Sequence, residues 1–431
     1  MSSDLPAESI AIVGSGVAGL VTAHQLHPRA DVTLFESAPR VGGHVNTVDV
    51  EDGDRTHAID TGFIVYNERN YVGFTALLEE LGVDSQPSEM SFSVSSLATG
   101  LEYRGSSLNT LLARRSNALR PSFVRMVADI PRFNRAAKRL IDAGDLSLTL
   151  REFLEMGRYS RAFVDDYLIP LGASIWSADP QSFADFPVAP LARFFDRHGL
   201  LSLGDRPEWR TIAGGGRRYV EAITAPLGSR VRTGCTVRRI ERDETGVVLH
   251  HDGATDGERF DRVVVATHAD TALAMLDRPT AAEQSVLGAF RFQANRATLH
   301  TDAALLPRAP RARASWNYRR VGEHQRVPVL TYYANRLQDI RSNMDYCITL
   351  NADDAINPSR VLASFDYAHP VFDEAALRAQ QRHHEIDGTM RTHYVGAYWG
   401  YGFHEDGVQS ALRVVQRVDG GEPRRRAAPV Q

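Results

Sequence analysis

Three glycines, Gly14, Gly16 and Gly19, follow the apolar run Ile10-Ala11-Ile12-Val13, and an acid, Glu36, closes a second run, Val32-Thr33-Leu34-Phe35. Each residue type has a chemical use at that spacing. Gly14 permits a tight strand-to-helix turn, Gly16 lets a pyrophosphate approach the backbone, and Gly19 lets the helix lie close on the strand. The helix then opens at Val17 and Ala18 with unpaired N–H groups and a positive dipole end facing the phosphates. Glu36 stands 22 residues after Gly14, where a carboxylate accepts both hydroxyls of an adenosine ribose and repels a 2′-phosphate. The pattern predicts FAD or NAD rather than NADP. The pair Gly42-Gly43 adds a second close approach of backbone to pyrophosphate, which suits FAD lying extended across a domain.

Such residues need a βαβ unit, with its helix at Val17 to Leu26, and further elements to complete a sheet. Ala58 to Asn67 reads as a strand leaving that unit. Tyr71 to Leu81 has helical periodicity and stops at Gly82; residues 91–104 read as a hairpin; 107–205 read as mostly helical, interrupted near Pro121, Pro131, Pro170 and Pro180. A helix is predicted from Arg217 to Ala225, strands at Val231 to Ile240 and Gly246 to His251, and a buried strand at Arg262 to Thr267. Residues 285–365 are rich in β-branched and aromatic residues and predict a second sheet. Ala375 to His384 reads as helix, and a glycine- and aromatic-rich stretch, Gly396 to Gly407, precedes a helix from Val408 to about Val418. The tail 419–431 is expected to be disordered. The nucleotide-binding signals thus fall in residues 1–66, 209–272 and 392–418, with substrate-binding segments at 67–208 and 273–391. The predicted fold class is α/β: a Rossmann-like FAD-binding domain of the glutathione-reductase type with an interleaved α+β substrate domain.

The bulk composition narrows the function. The chain has 431 residues, 43% hydrophobic and 24% charged, which is ordinary for a soluble globular protein. A net charge of −4 argues against a nucleic-acid partner. Two cysteines, Cys235 and Cys347, make no disulfide framework, and the polar, acidic start Met1 to Ser9 does not read as a signal peptide, so a cytoplasmic location is expected. No apolar run reaches the roughly 18 residues that span a membrane. Among 49 basic residues the one lysine is Lys138. Residues 101–140 carry nine basic groups against Glu102 and Asp129, with apolar residues interleaved. A basic amphipathic stretch of this kind fits either a solvated arginine-rich helix face or peripheral contact with an anionic membrane, on the inner side if the protein is cytoplasmic. His383-His384 with Glu385 does not predict a metal site, because adjacent helical residues point apart.

With these motifs, and with Asp60-Thr61-Gly62-Phe63-Ile64-Val65-Tyr66-Asn67 and Gly396 to Gly407, the chain resembles the FAD-dependent amine oxidase and phytoene desaturase superfamily. Within it the chain is most similar to a bacterial group of predicted NAD/FAD-binding, flavin-containing amine oxidoreductases. The resemblance runs to about residue 418. It implies that Gly14, Ser15, Gly16 and Gly19 hold the pyrophosphate, that Glu36 holds the ribose, and that Gly42, Gly43 and His44 lie along the phosphates. It further implies that Gly62 and Phe63 line the isoalloxazine, that the Val237 backbone pairs with adenine, and that Ala266-Thr267 lies near the adenosine. Asp406, Gly407 and Val408 would open a helix whose N-terminus faces the flavin, where partial positive charge stabilises the reduced anion.

Departures from the family pattern sharpen the expectation. His44 and Ala38 stand where arginines are usual, and Tyr398 stands where amine oxidases place an acid. Lys138, in a helical arginine-rich stretch, is a poor match for the lysine that amine oxidases keep near flavin N5. No cysteine matches a covalent-flavin position, so FAD is expected to be non-covalent. His404 and Tyr398 are the candidate catalytic residues, His404 as a proton carrier beside the flavin. Tyr398, Trp399 and Tyr401 could wall an apolar cavity. The expected function is an FAD-dependent oxidoreductase moving a hydride from a C–H bond of an apolar small molecule, fatty acyl or isoprenoid, to flavin N5. The alternatives are a flavin amine oxidase and a redox-neutral flavin-binding isomerase or scaffold. Oligomeric state is not readable from the sequence.

Overall fold

Strand β1 (Ser9–Val13) is buried from Ile10 onward, and helix α1 (Val17–Leu26) leaves only His24 and Gln25 partly exposed. A strand and helix covered on all sides belong in the middle of a layered α/β fold. In the computed structural model, which describes residues 7–143, 148–176, 178–181, 183–202, 204, 206–322, 325 and 327–418, they do. The expected tail, 419–431, lies outside the described residues.

β1 sits at the centre of a five-stranded parallel sheet with β2 (Asp31–Phe35), β3 (Val231–Arg232), β4 (Arg262–Val265) and β5 (Thr392–Tyr394), in the order β3-β2-β1-β4-β5. The strand order reverses beside β1, where the C-terminal ends of β1 and β4 open a crevice for ligand. Those ends carry Gly14 and Ala266, and the residue after β2 is Glu36. A separate three-stranded antiparallel sheet, Val237–Arg242, Val247–His251 and Glu258–Phe260, leads into β4.

The second large sheet has seven strands in the order Val361–Val371, Arg291–His300, Cys347–Leu350, Val329–Tyr333, Trp316–Arg320, Phe92–Ser96, Glu102–Arg104. Neighbours are antiparallel except for the parallel pairing of Trp316–Arg320 with Phe92–Ser96. The helices between residues 108 and 197 pack their apolar faces into one cluster built around Phe123, Phe133, Phe163, Leu191 and Phe195. Among the remaining helices are α2 (Val72–Leu81), α3 (Pro121–Ala143) and α4 (His404–Val418), the last packed along α1.

Three expectations change. The run 231–240 is not one strand: Gly234 turns at φ +62, leaving Val231–Arg232 in the parallel sheet and starting a different sheet at Val237. Pro131 does not interrupt α3, which runs through it. A proline removes one backbone donor, and the buried face of Phe123, Met126, Phe133, Ala137 and Leu140 holds the helix together regardless. Pro170 is likewise helical, entered through a π turn at Val164–Leu168. Finally, α4 begins at His404 and not at Val408, because the Asp406 carboxylate reaches back to accept the N–H groups of Tyr401 (2.9 Å) and Phe403 (3.0 Å) and so fixes the entry to the first turn.

Candidate active site

The glycine positions are dictated by contact. Gly14 has φ +104, and a Cβ there would stand 2.8 Å from the Ala266 carbonyl oxygen. A Cβ on Gly19 would stand 1.9 Å from the Gly14 oxygen, so only glycine lets α1 lie this close to the turn. Gly16, by contrast, faces open space. Ser15 is fully buried and joins the motifs: its N–H and hydroxyl donate to Glu36 Oε2 at 3.0 and 2.5 Å, while its Oγ accepts the Gly42 N–H at 3.1 Å. Glu36 Oε1 accepts the Ala38 N–H at 2.8 Å. Arg40 clamps the 41–45 loop through its carbonyls, donating to Val45 O at 2.9 Å and Gly43 O at 3.0 Å.

These residues line a cavity of about 530 Å³, the size of a cofactor or small-molecule site. Of the residues singled out in the sequence, Gly14, Ser15, Gly16, Val17, Ala18, Glu36, Gly42, Gly43, His44, Gly62, Phe63, Val237, Ala266, Thr267, Tyr398 and His404 all border it. Gly19, Asp406, Gly407 and Val408 do not. Gly19 lies beneath the turn. A Cβ on Gly407 would meet Val17 Cγ1 at 2.6 Å, so Gly407 brings α4 onto α1, and Asp406 is spent on the preceding loop. From that helix start, Gly402, Phe403 and His404 reach the cavity instead.

The far part of the cavity is aromatic and apolar: Phe63, Ile64, Ile175, Trp209, Trp316, Tyr332 and Phe403. Among its described lining residues there is no lysine or arginine, and Glu36, at the other end, is the one carboxylate. Lys138 is on the surface of α3, 3.8 Å from Asp196. The expected aromatic wall is corrected. Trp399 is turned into the core against Phe290 and His383, and Tyr401 packs on Phe194. Tyr398 borders the cavity, with its ring against Phe290. The walls that sequence reading missed, Trp209, Trp316 and Tyr332, come from segments with no glycine signature; Trp316 and Tyr332 face each other across paired strands at 5.1 Å and 82°. A second cavity of about 420 Å³ shares His369 and Pro370 with the first and is lined by Trp176, Phe183, Phe186 and Phe372 among others.

His404 stacks on Phe63 (3.5 Å between centroids, 8° between planes), and its Nε2 is 2.9 Å from the Tyr219 hydroxyl. Burial pushes its pKa down to about 3, so the ring is neutral throughout the working range of an enzyme. The ring expected to carry a proton is, in the folded chain, uncharged, stacked on Phe63 and tethered to Tyr219. Next to it, Glu405 accepts the N–H groups of Gly73 and Phe74, both at 2.9 Å, and so caps α2.

The Asp60-Thr61-Gly62-Phe63 motif also resolves into physical parts. Asp60 accepts from Thr47 Oγ1 (2.6 Å), the Gly216 N–H (2.9 Å) and Gln338 Nε2 (3.2 Å), and burial pushes its pKa up to about 7 despite those donors. Thr61 Oγ1 is 3.0 Å from the Tyr367 hydroxyl, and the Phe63 N–H donates to His44 O at 2.9 Å. The motif is therefore a junction between the parallel sheet's loops and the seven-stranded sheet. Cys235 borders the cavity near Val237, within hydrogen-bonding distance of His251 Nδ1 (3.2 Å), whereas Cys347 is buried in its strand. Within the described residues, no group of three His, Cys, Asp or Glu side chains could hold a metal.

A parallel sheet in the order 3-2-1-4-5, a glycine turn at its switch point and an acid after the second strand define a dinucleotide-binding α/β fold. The family model for flavin-containing amine oxidoreductases matches residues 17–302, and the chain belongs to that family, whose cofactor is FAD. It is similar to a Mycobacterium tuberculosis protein described as the putative flavin-containing monoamine oxidase AofH, 27% identical over 260 residues, which are 56% of this chain and 53% of that one. The chain thus spans about half the length of the curated relatives it matches. Among solved structures, a putrescine oxidase variant superposes with a TM-score of 0.68 at 15% identity, covering 96% of this chain and 99% of the other. A fatty acid isomerase from P. acnes that produces CLA gives 0.67 at 16% identity, over 97% and 99%. At such identities the likeness is one of fold.

Proposed function

We propose that this chain is an FAD-dependent oxidoreductase that removes a hydride from a C–H bond of an apolar substrate, of fatty acyl or isoprenoid type. The observation that carries the reading is the aromatic, charge-free far part of the cavity beside Phe63 and His404. Bound FAD supplies the hydride acceptor. The chain supplies the rest. The Gly14–Ala18 turn and the 42–44 loop offer backbone N–H groups to the diphosphate, Glu36 accepts from the ribose, and Thr236-Val237 border the adenine end. Gly62 and Phe63 lie along the flavin end. Trp316, Tyr332 and Phe403 exclude water and hold a chain-like substrate. His404, neutral and tied to Tyr219, keeps Phe63 in place, and Tyr398 serves as wall, not as acid. With Cys235 at the adenine end and Cys347 buried, the flavin is held without a covalent bond. We further assign residues 1–66, 209–272 and 392–418 to the cofactor domain and 67–208 with 273–391 to the substrate domain.

The test is anaerobic mixing of flavin-loaded protein with unsaturated fatty acids, isoprenoid alcohols and a panel of primary amines. Bleaching of the oxidised-flavin absorbance by the lipids and not by the amines is expected. Bleaching by amines alone would make it an amine oxidase. Double-bond migration in the lipid without net bleaching would make it a redox-neutral isomerase.

A lipid substrate gives the basic segment a use. Most of its apolar residues are buried in or packed against the helical core, but Leu108, Leu119 and Val124 are 77%, 85% and 54% exposed, close in sequence to Arg115 and Arg120. We propose that this edge, not the whole of 101–140, touches anionic membrane surfaces. Flotation with anionic liposomes at low salt is expected to carry the protein upward, and Leu119→Glu is expected to weaken that several-fold. No described helix is long and apolar enough to cross a membrane.

A further inference from the structure

The far part of the cavity is mostly apolar surface, but some of its rings carry a polar group that apolar contact leaves unused. Trp316 and Tyr332 stand directly opposite each other on neighbouring antiparallel strands, and both border the cavity. Strand alternation sets their direction. Asn317 and Thr331, one residue along, point to the other face of the sheet and are hydrogen-bonded there: Asn317 Oδ1 accepts from Ser93 Oγ, and Thr331 Oγ1 meets Thr349 Oγ1, both at 2.8 Å. On the cavity face, neither the Trp316 indole N–H nor the Tyr332 hydroxyl has a hydrogen-bond partner among the described residues. Trp209, which packs with them around Ile64, Val65 and Leu337, has an indole N–H in the same condition.

Tyrosine hydroxyls and indole N–H groups enclosed by protein ordinarily find a partner. The Tyr398 hydroxyl and the Trp399 N–H lack one and are sealed from any ligand as well. Trp316 and Tyr332 differ, because each keeps accessible surface. Burial raises the Tyr332 phenol above its ordinary pKa, so the hydroxyl keeps its proton. An indole N–H can only donate, and a phenol can donate or accept. Neutral donors side by side among rings match an oxygen with two lone pairs. They do not match a carboxylate: the described lining holds no lysine or arginine, and an ion gives up more on leaving water than neutral donors restore. An ammonium would find ring faces, but among these three groups only the Tyr332 oxygen could accept its hydrogens. A plain hydrocarbon fits the rings and leaves the donors enclosed and unpaired, which is unfavourable.

We propose that Trp316 and Tyr332 set the specificity of the substrate site by donating hydrogen bonds to an uncharged oxygen of the substrate, so that the site takes apolar esters and alcohols ahead of hydrocarbons, free carboxylates and amines. This rests on the reading of the far part of the cavity as the substrate site. The fold holds the pair ready. The rings meet edge to face, 5.1 Å apart at 82°, so each limits the other's rotation. The backbone is pinned beside both: the Trp316 N–H donates to Ser91 O at 3.0 Å, and the Tyr333 N–H donates to Ser315 O at 2.8 Å. A substrate anchored by its oxygen here has the remaining rings, Phe63 and Phe403 among them, for its apolar chain.

The experiment titrates flavin-loaded full-length protein with ligands of similar chain length, read by the shift in the bound flavin's absorbance: methyl decanoate, decanol, undecane, decanoate and decylamine. The ester and the alcohol are expected to bind at least about tenfold tighter than the other ligands. Tyr332→Phe removes the hydroxyl and keeps the ring. It is expected to weaken the ester and the alcohol about three- to tenfold, the net worth of one neutral hydrogen bond, and to bind undecane as well as before or better. Trp316→Phe, which removes the indole N–H, is expected to act in the same direction and serves if the first variant does not fold. Undecane bound as tightly as the ester, or a loss below twofold in both variants, overturns the proposal and leaves the apolar-substrate reading standing. Decanoate bound tightest overturns the preference for an uncharged oxygen in the same way. Decylamine bound tightest, or no binding by any of the ligands, overturns the apolar-substrate reading and this inference with it.

Discussion

The two ends of the cavity are built from different materials. Around the β1–α1 turn the surface is backbone: glycines at fixed intervals, N–H groups at a helix start, and one carboxylate held by Ser15. Around Phe63 and Phe403 it is side chain: rings delivered by strands Trp316–Arg320 and Val329–Tyr333, by Trp209 and by the start of α4. A backbone surface constrains residue type tightly, because only glycine fits. A side-chain surface tolerates any large apolar residue that fills the space. One end is specified by chemistry common to a cofactor; the other is free to follow a substrate.

The largest effect is expected at Gly19. Gly19→Ala places a methyl group 1.9 Å from the Gly14 oxygen; we expect a loss of about 3 kcal/mol in chemical denaturation and protein that purifies without flavin. Normal flavin content would show that the backbone end tolerates a side chain at Gly19. Next in size, Glu36→Gln should lower FAD affinity about ten- to hundredfold, since a hydrogen bond to a charged group contributes about 1.5–3 kcal/mol; fluorescence titration of the deflavinated protein reads it. At the other end, Trp316→Ala should leave flavin content unchanged and weaken an apolar substrate by about tenfold, the effect of about 1.5 kcal/mol of lost ring contact. If flavin is lost instead, the two ends are not independent.

The smallest effect concerns the joint between them. Asp60 holds a proton up to about pH 7 in the folded chain and up to its ordinary 3.8 when unfolded. The folded state binds the extra proton between those values, so stability should decline as pH rises from about 4 to 7. Asp60→Asn should flatten that part of the pH profile of urea unfolding. A profile of unchanged slope would place the titration elsewhere.

This difference in material also explains what could be read from the chain. Gly14, Gly16, Gly19 and Glu36 were legible because their spacing is set by one turn and one strand. Gly42 was legible for the same reason, and the Ser15 contact to it shows why the two glycine motifs travel together. Trp316 and Tyr332 were not legible: their proximity depends on an antiparallel register, and nothing local marks either residue as facing a cavity. Trp399 and Tyr401 mislead for the converse reason. They sit in a conspicuous motif, yet Trp399 turns into the core and Tyr401, on the turn held by Asp406, packs half-buried on Phe194. His404 borders the cavity, but the burial that keeps it neutral is not legible, because neither the Phe63 stack nor the Tyr219 contact has a sequence signature.

The strand order of the parallel sheet also sets a timetable. β1 and β2 are made before their later partners: β1 cannot gain its second neighbour until β4 at residue 262 has been made, and β5 waits for residue 392. At about 5–20 residues per second, the wait from β1 to β4 is roughly 13 to 50 s. Throughout it, the glycine turn, the first part of the cofactor site to be translated, has one open flank. Nascent chains of this protein therefore carry an unpaired apolar strand edge for that time, and the site reaches its folded form only once α4 has been made and packs along α1.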